Sequence, residues 1–139
     1  MSKSPEGGQK VLSALCLILA GIFAAWGLSN EFRAGWLQYS DVTFHLSLLN
    51  QMAEVHATGG SILDFWYDAS PFGYPVFRVY QYFPHIVIFY TSLVSGFSLG
   101  LSEALALWTI VLSALLPSSL FLTARLFGFS RSAAVAAGI

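Results

Sequence analysis

The chain has 139 residues, of which 56% are hydrophobic, 16% aromatic and 9% charged, with a formal net charge of −1 and a mean hydropathy of +0.69. Soluble domains carry roughly 25% charged residues, so this composition excludes an ordinary water-facing surface and reads as an integral membrane protein. It also excludes a basic field for nucleic acid, and a single cysteine, Cys16, excludes an intrachain disulfide or a cysteine zinc site.

Residues 1–10, "MSKSPEGGQK", are polar and read as a cytoplasmic tail. The charge-free run that follows predicts a transmembrane helix over 11–29, since about 18 to 20 apolar residues cross a bilayer core. Lys3 and Lys10 precede it, which places the N-terminus in the cytoplasm by the positive-inside rule, and Trp26 suits the far interface. The rival reading is a cleaved signal peptide, but the run is long for one and no small-x-small site follows it.

Residues 30–102 hold most of the charges and read as an external loop. Within it, an amphipathic helix is expected over 41–57, capped by Ser40 or Asp41. Phe44, Leu48, Met52 and Val55 line one face, and the helix is expected to lie along the membrane surface. "TGG" at 58–60 ends it. The segment "DFWYDASPFGYPVFRVYQYFP" is broken by prolines and a glycine and reads as irregular structure.

The apolar run over 85–101 is diluted by Ser92, Ser95, Gly96, Ser98 and Gly100, and predicts an interfacial or re-entrant helix. A second transmembrane helix is expected over 103–127, interrupted by Pro117. If 85–101 crossed the bilayer, Arg125 and Arg131 would end outside; the interfacial reading keeps them in the cytoplasm. Residues 131–139 look like the start of a further transmembrane helix, too short to span and hence truncated. The expected class is all-α, a polytopic helical integral membrane protein of the plasma membrane.

One span, an external loop opening with "DVTFHL", an aromatic "GYPVFRVYQYFP" and a span ending "TARLFGFSR" together resemble the N-terminal part of bacterial GT-C type membrane glycosyltransferases. The likeness is to large membrane proteins labelled 6-pyruvoyl-tetrahydropterin synthase-related, which look like GT-C transferases and not like pterin enzymes. Asp41, Phe44, His45 and Leu46 match the first motif, Gly73, Tyr74, Pro75 and Phe77 the second, and Tyr80 and Pro84 the third. Gln81, Tyr82 and Phe83 stand where the family often has adjacent prolines. Many GT-C enzymes carry a second acid beside the first, whereas Asp41 is flanked by Ser40 and Val42, so a divalent metal is left open.

The resemblance implies transfer of a sugar from a polyprenyl-phosphate donor on the non-cytoplasmic face, at the lipid bilayer and without nucleic acid. Asp41 is then the candidate general base, or simply a helix cap. His45, one turn on, and His56, eleven residues later, can share its face, for phosphate contact or as polar-face residues. Arg33 and Arg78 are candidates for the donor phosphate, or anchors to lipid headgroups. Asp64 and Asp68 flank "FWY" beside a sugar site or in solvated loop. Trp66, Tyr67, Phe72, Tyr74, Phe77, Tyr80 and Tyr82 are a sugar-stacking set or an interfacial belt. A different class stays open beside this one: a non-catalytic transporter or lipid-handling subunit.

Overall fold

The computed structural model describes residues 6–33, 41–68 and 72–139. Its elements are all helices: α1 (Glu6–Arg33), α2 (Val42–Ala57), α3 (Val76–Val79), α4 (Phe83–Val94), α5 (Leu101–Leu126) and α6 (Arg131–Gly138). Among the described residues the sole strand-like feature is an isolated antiparallel bridge between Tyr67 and Tyr74. The chain divides into two compact units, Met1–Ala34 with Thr109–Ile139, and Gly35–Trp108.

In the first unit, α1 and α5 are long and apolar enough to cross a membrane. At 1.5 Å per residue they run roughly 42 and 39 Å. Only 17% of the apolar stretch of each is buried, whereas the core helix of a soluble protein would be mostly covered. Leu19, Phe23 and Leu122 stand open instead, as suits a lipid-facing surface. Of the tail expected over 1–10, residues 6–10 continue α1 as helix and residues 1–5 lie outside the described residues. Extending an existing helix adds one hydrogen bond per residue fixed, so the helix set by the apolar run propagates outward through Gln9 and Lys10. Pro117 sits inside α5 without ending it.

Two glycines let the helices of this unit close on one another. A Cβ on Gly21 would lie 2.6 Å from the Ala114 carbonyl oxygen, and one on Gly138 would lie 2.5 Å from that of Pro117. Small residues at helix contacts are how backbones approach where no water drives packing. Ser130 begins α6 by accepting a bond from the Ala133 N–H at 3.3 Å. The segment expected as the start of a further span is here a helix of 8 residues packed on α1.

The second unit is built on α2 and α4, which pack together around Leu48, Leu49, Met52, Ile88 and Phe89. Phe65, Tyr67 and Val76 close the core from the loop side, and Ala104 and Leu105 from the start of α5. The apolar face expected for α2 is real, with Leu48 and Met52 fully buried and Phe44 and Val55 packed beside them. It is covered by protein, which corrects the expectation that it rests on the membrane surface: an apolar stripe buries against the nearest matching stripe, and α4 supplies one.

The helix expected over 85–101 is also corrected. It starts at Phe83, with Pro84 in the first turn where a missing N–H costs nothing, and stops at Val94. Its 12 residues measure roughly 18 Å, short of a bilayer core of about 30 Å. From its last turn Ser92 donates to the Leu99 carbonyl at 2.6 Å, and Thr91 accepts from the Trp108 indole at 2.9 Å.

Three helices stop in the same way. After α2, the Gly59 N–H bonds the His56 carbonyl and the Gly60 N–H that of Val55; Gly96 with Phe97, and Gly128 with Phe129, repeat the pattern after α4 and α5. Each of Gly59, Gly96 and Gly128 has positive φ, the left-handed turn that a glycine enters without steric cost.

Candidate functional site

The motif segments singled out in the sequence converge within the second unit. Gly73 has φ 58° and lies under the Trp66 indole, with no room for a side chain. The next residue, Tyr74, accepts a bond from the Tyr67 N–H at 2.9 Å. Pro75 then opens the single turn of α3, which ends at Tyr80 in an extended conformation. This places the Tyr80 ring 5.4 Å from Phe44, 6.2 Å from His45 and 6.0 Å from His85. Phe44 also meets Tyr67 edge-on at 5.6 Å, and the Tyr67 hydroxyl donates to Ser47 at 3.1 Å.

At the centre of this cluster His45 Nδ1 and His85 Nε2 lie 2.9 Å apart. The other ring nitrogen of His85 is 3.0 Å from the Gln81 carbonyl oxygen. His85 is 2% exposed. Its burial pushes the imidazole below the usual histidine range, the Gln81 bond works against that, and the neighbouring His45 adds a little to the lowering. His85 was not singled out in the sequence. The signal was there, a titratable group inside the apolar run "FPHIVIF", because such a residue is buried only when it has a partner.

Asp41 stands at the N-terminus of α2 with a helical backbone, φ −52° and ψ −15°, and its side chain makes no bond to the helix end. Capping needs an extended backbone at that position to bring the oxygen over the free N–H groups, so the expectation that Asp41 caps the helix is corrected and its exposed carboxylate is uncommitted to the helix; Ser40, the other expected cap, lies outside the described residues. His45 sits one turn on. His56 does share the helix face, but eleven residues put it about 16 Å further along, where its ring meets Phe89 at 5.4 Å.

Arg78 is engaged. Its guanidinium forks onto both oxygens of Asp64 at 3.0 Å, with Nε at 3.2 Å, and this pairing raises its pKa further. A phosphate would have to displace Asp64, a displacement eased by the openness of both side chains to water, 68% and 59% exposed. Tyr74 holds the bridge to Tyr67, with the rings 5.9 Å apart. The Arg33 side chain lies outside the described residues, as do positions 69–71. Asp68 borders an open groove of about 460 Å³ along the polar face of α2, lined also by Thr43, Ser47, Asn50, Gln51 and Glu54.

Among the described residues no three His, Cys, Asp or Glu side chains gather into a possible metal site, so no step through a metal is derived. No family model, no curated protein and no solved structure matches the chain.

Proposed function

We propose that the chain belongs to a polytopic GT-C-like membrane glycosyltransferase that takes a sugar from a polyprenyl-phosphate donor on the non-cytoplasmic face of the plasma membrane. The observation that supports this is the convergence of the three motif segments. "DVTFHL" supplies Phe44 and His45, "GYPVF" supplies Tyr74 and Phe77, and Tyr80 closes on both histidine rings. On this reading the N-terminus is cytoplasmic, α1 leads out, the second unit lies outside with α4 in the interface, and α5 leads back. Asp41 is the candidate general base with His45 as its catalytic partner. Tyr80 and Tyr74 border the sugar, and Arg78 and Arg33 are the cations for the donor phosphate.

Asp41→Asn tests it in the protein as the cell makes it, in native membranes. The amide keeps the size of the side chain and removes the base, so transfer from a polyprenyl-phosphate sugar is expected to fall about 100-fold or more with unchanged abundance and thermal stability. Wild-type rates in that variant would remove Asp41 from the chemistry. One observation favours a second reading, a transporter or lipid-handling subunit: Arg78 is closed onto Asp64. In that case no donor is turned over by the wild type either.

A further inference from the structure

We infer that the proton released by the acceptor comes to rest on a histidine dyad, received at Nε2 of His45 and held there by His85 as a positioning residue. This rests on the transferase reading above. It follows from which atoms can donate. A carbonyl oxygen only accepts, so at 3.0 Å from the Gln81 oxygen His85 carries its proton on Nδ1. In a neutral ring Nε2 then bears a lone pair. His45 Nδ1, 2.9 Å away, must fill that lone pair with its own proton. The remaining nitrogen, His45 Nε2, is thereby left as a lone pair in every neutral state of the chain. The backbone carbonyl at one end fixes the basic atom at the other, as a second group fixes the imidazole in any oriented histidine base.

The pair accepts one proton and resists a second, because two imidazolium rings in hydrogen-bond contact would repel and one is buried. The proton therefore belongs to the dyad, and burial of His85 favours its residence on His45. The surroundings are consistent with this. From α3, Tyr80 faces both rings and Phe77 faces His85 at 5.8 Å. Arg78 on that turn has its charge matched by Asp64. From the chain before α4 comes the neutral Gln81 carbonyl. On α2 the nearest charge is Asp41, one turn earlier, at the neighbour range where a carboxylate steadies a cation.

The transfer step balances without a further reactant. The acceptor O–H bond breaks and its proton passes by way of the Asp41 carboxylate to His45 Nε2, while the oxygen's electron pair forms the bond to the anomeric carbon. The bond from that carbon to the phosphate oxygen breaks, and polyprenyl phosphate leaves with the pair. Water removes the proton from the dyad before the next turnover.

The test combines histidine-selective ¹⁵N NMR of the full chain in lipid nanodiscs with transfer assays, on wild type, His85→Phe and His85→Gln. At high pH both rings are expected as Nδ1–H tautomers. His85→Phe, which removes the acceptor, should release His45 into a mixture of tautomers, shift the pH profile of transfer and lower kcat about tenfold or more with little change in KM. The glutamine oxygen can still accept from His45, so His85→Gln should restore both tautomer and rate, which a purely structural role would not predict. An Nε2–H tautomer on either ring at high pH, or the same His45 tautomer population in wild type and both variants, overturns the dyad. The spectra need no donor, so the two ideas fail separately: expected tautomers with no transfer from any polyprenyl-phosphate sugar would overturn the transferase reading and the catalytic role with it.

Discussion

His85 carries an ionisable ring that is 2% exposed and 2.9 Å from a second one, and this sets a pH dependence on folding itself. Its pKa in the folded chain is depressed, chiefly by burial. The unfolded chain then binds the proton more readily, with an ordinary histidine value near 6.5, and stability rises with pH across the interval between the two values. The contribution is fully present above about 6.5 and is lost as pH falls through the lowered folded value. The thermal midpoint of the solubilised protein is expected to drop from pH 8 to pH 5, and His85→Gln should flatten that drop; equal slopes in both proteins would show that His85 does not control it. The single positions visible in the sequence were those whose meaning is local. Gly73 marked a break in regular structure and Asp41 a helix start. The His45–His85 contact joins residues 40 apart, and the Arg78–Asp64 fork joins residues 14 apart. A pattern read along the chain does not specify which distant partner a polar group finds.

The helices obey a different logic, because their contacts depend on how closely backbones approach. α1 contains a direct comparison. A Cβ at Gly21 would press on the Ala114 carbonyl, whereas at Gly27 nothing lies within 4 Å. Gly27→Ala is expected to stabilise the protein by about 0.5–1 kcal/mol, the helix penalty of glycine. Gly21→Ala should instead destabilise it by about 1–3 kcal/mol through overpacking against backbone. Unfolding midpoints of the two variants in the same detergent check this, and a Gly21 variant as stable as the Gly27 one would mean that α1 and α5 do not close there. The apolar periodicity of α2, the two long apolar helices and the "TGG" stop were all legible, since each is written in neighbouring residues. The stop at Gly96 was passed over, and the expected helix ran on to residue 101, because apolar residues on both sides of "SGF" hid the turn. That α2 is covered by α4 was not legible either, since an amphipathic stripe has the same pattern whether a membrane or another helix covers it.

For the molecule as a whole, the division into a unit with two long apolar helices and a unit with its own core makes the proposed topology accessible to labelling. In a Cys16→Ala background, cysteines at the exposed positions Ser61 and Ser132 can be challenged with a membrane-impermeant maleimide on intact cells. Labelling at 61 and protection at 132 are expected; the same response at both would remove the proposed arrangement of α1 and α5 across the bilayer.

The glycine closures after α2, α4 and α5 also bear on synthesis. Each stop is built from residues within about a turn and a half of one another, so the end of a helix is decided as soon as that short stretch leaves the ribosome, without waiting for distant chain to arrive. The helical segments thus enter later assembly with their lengths already set. Errors of assembly would then arise in how finished helices are paired, as with the histidines forty residues apart, and not in where each helix ends.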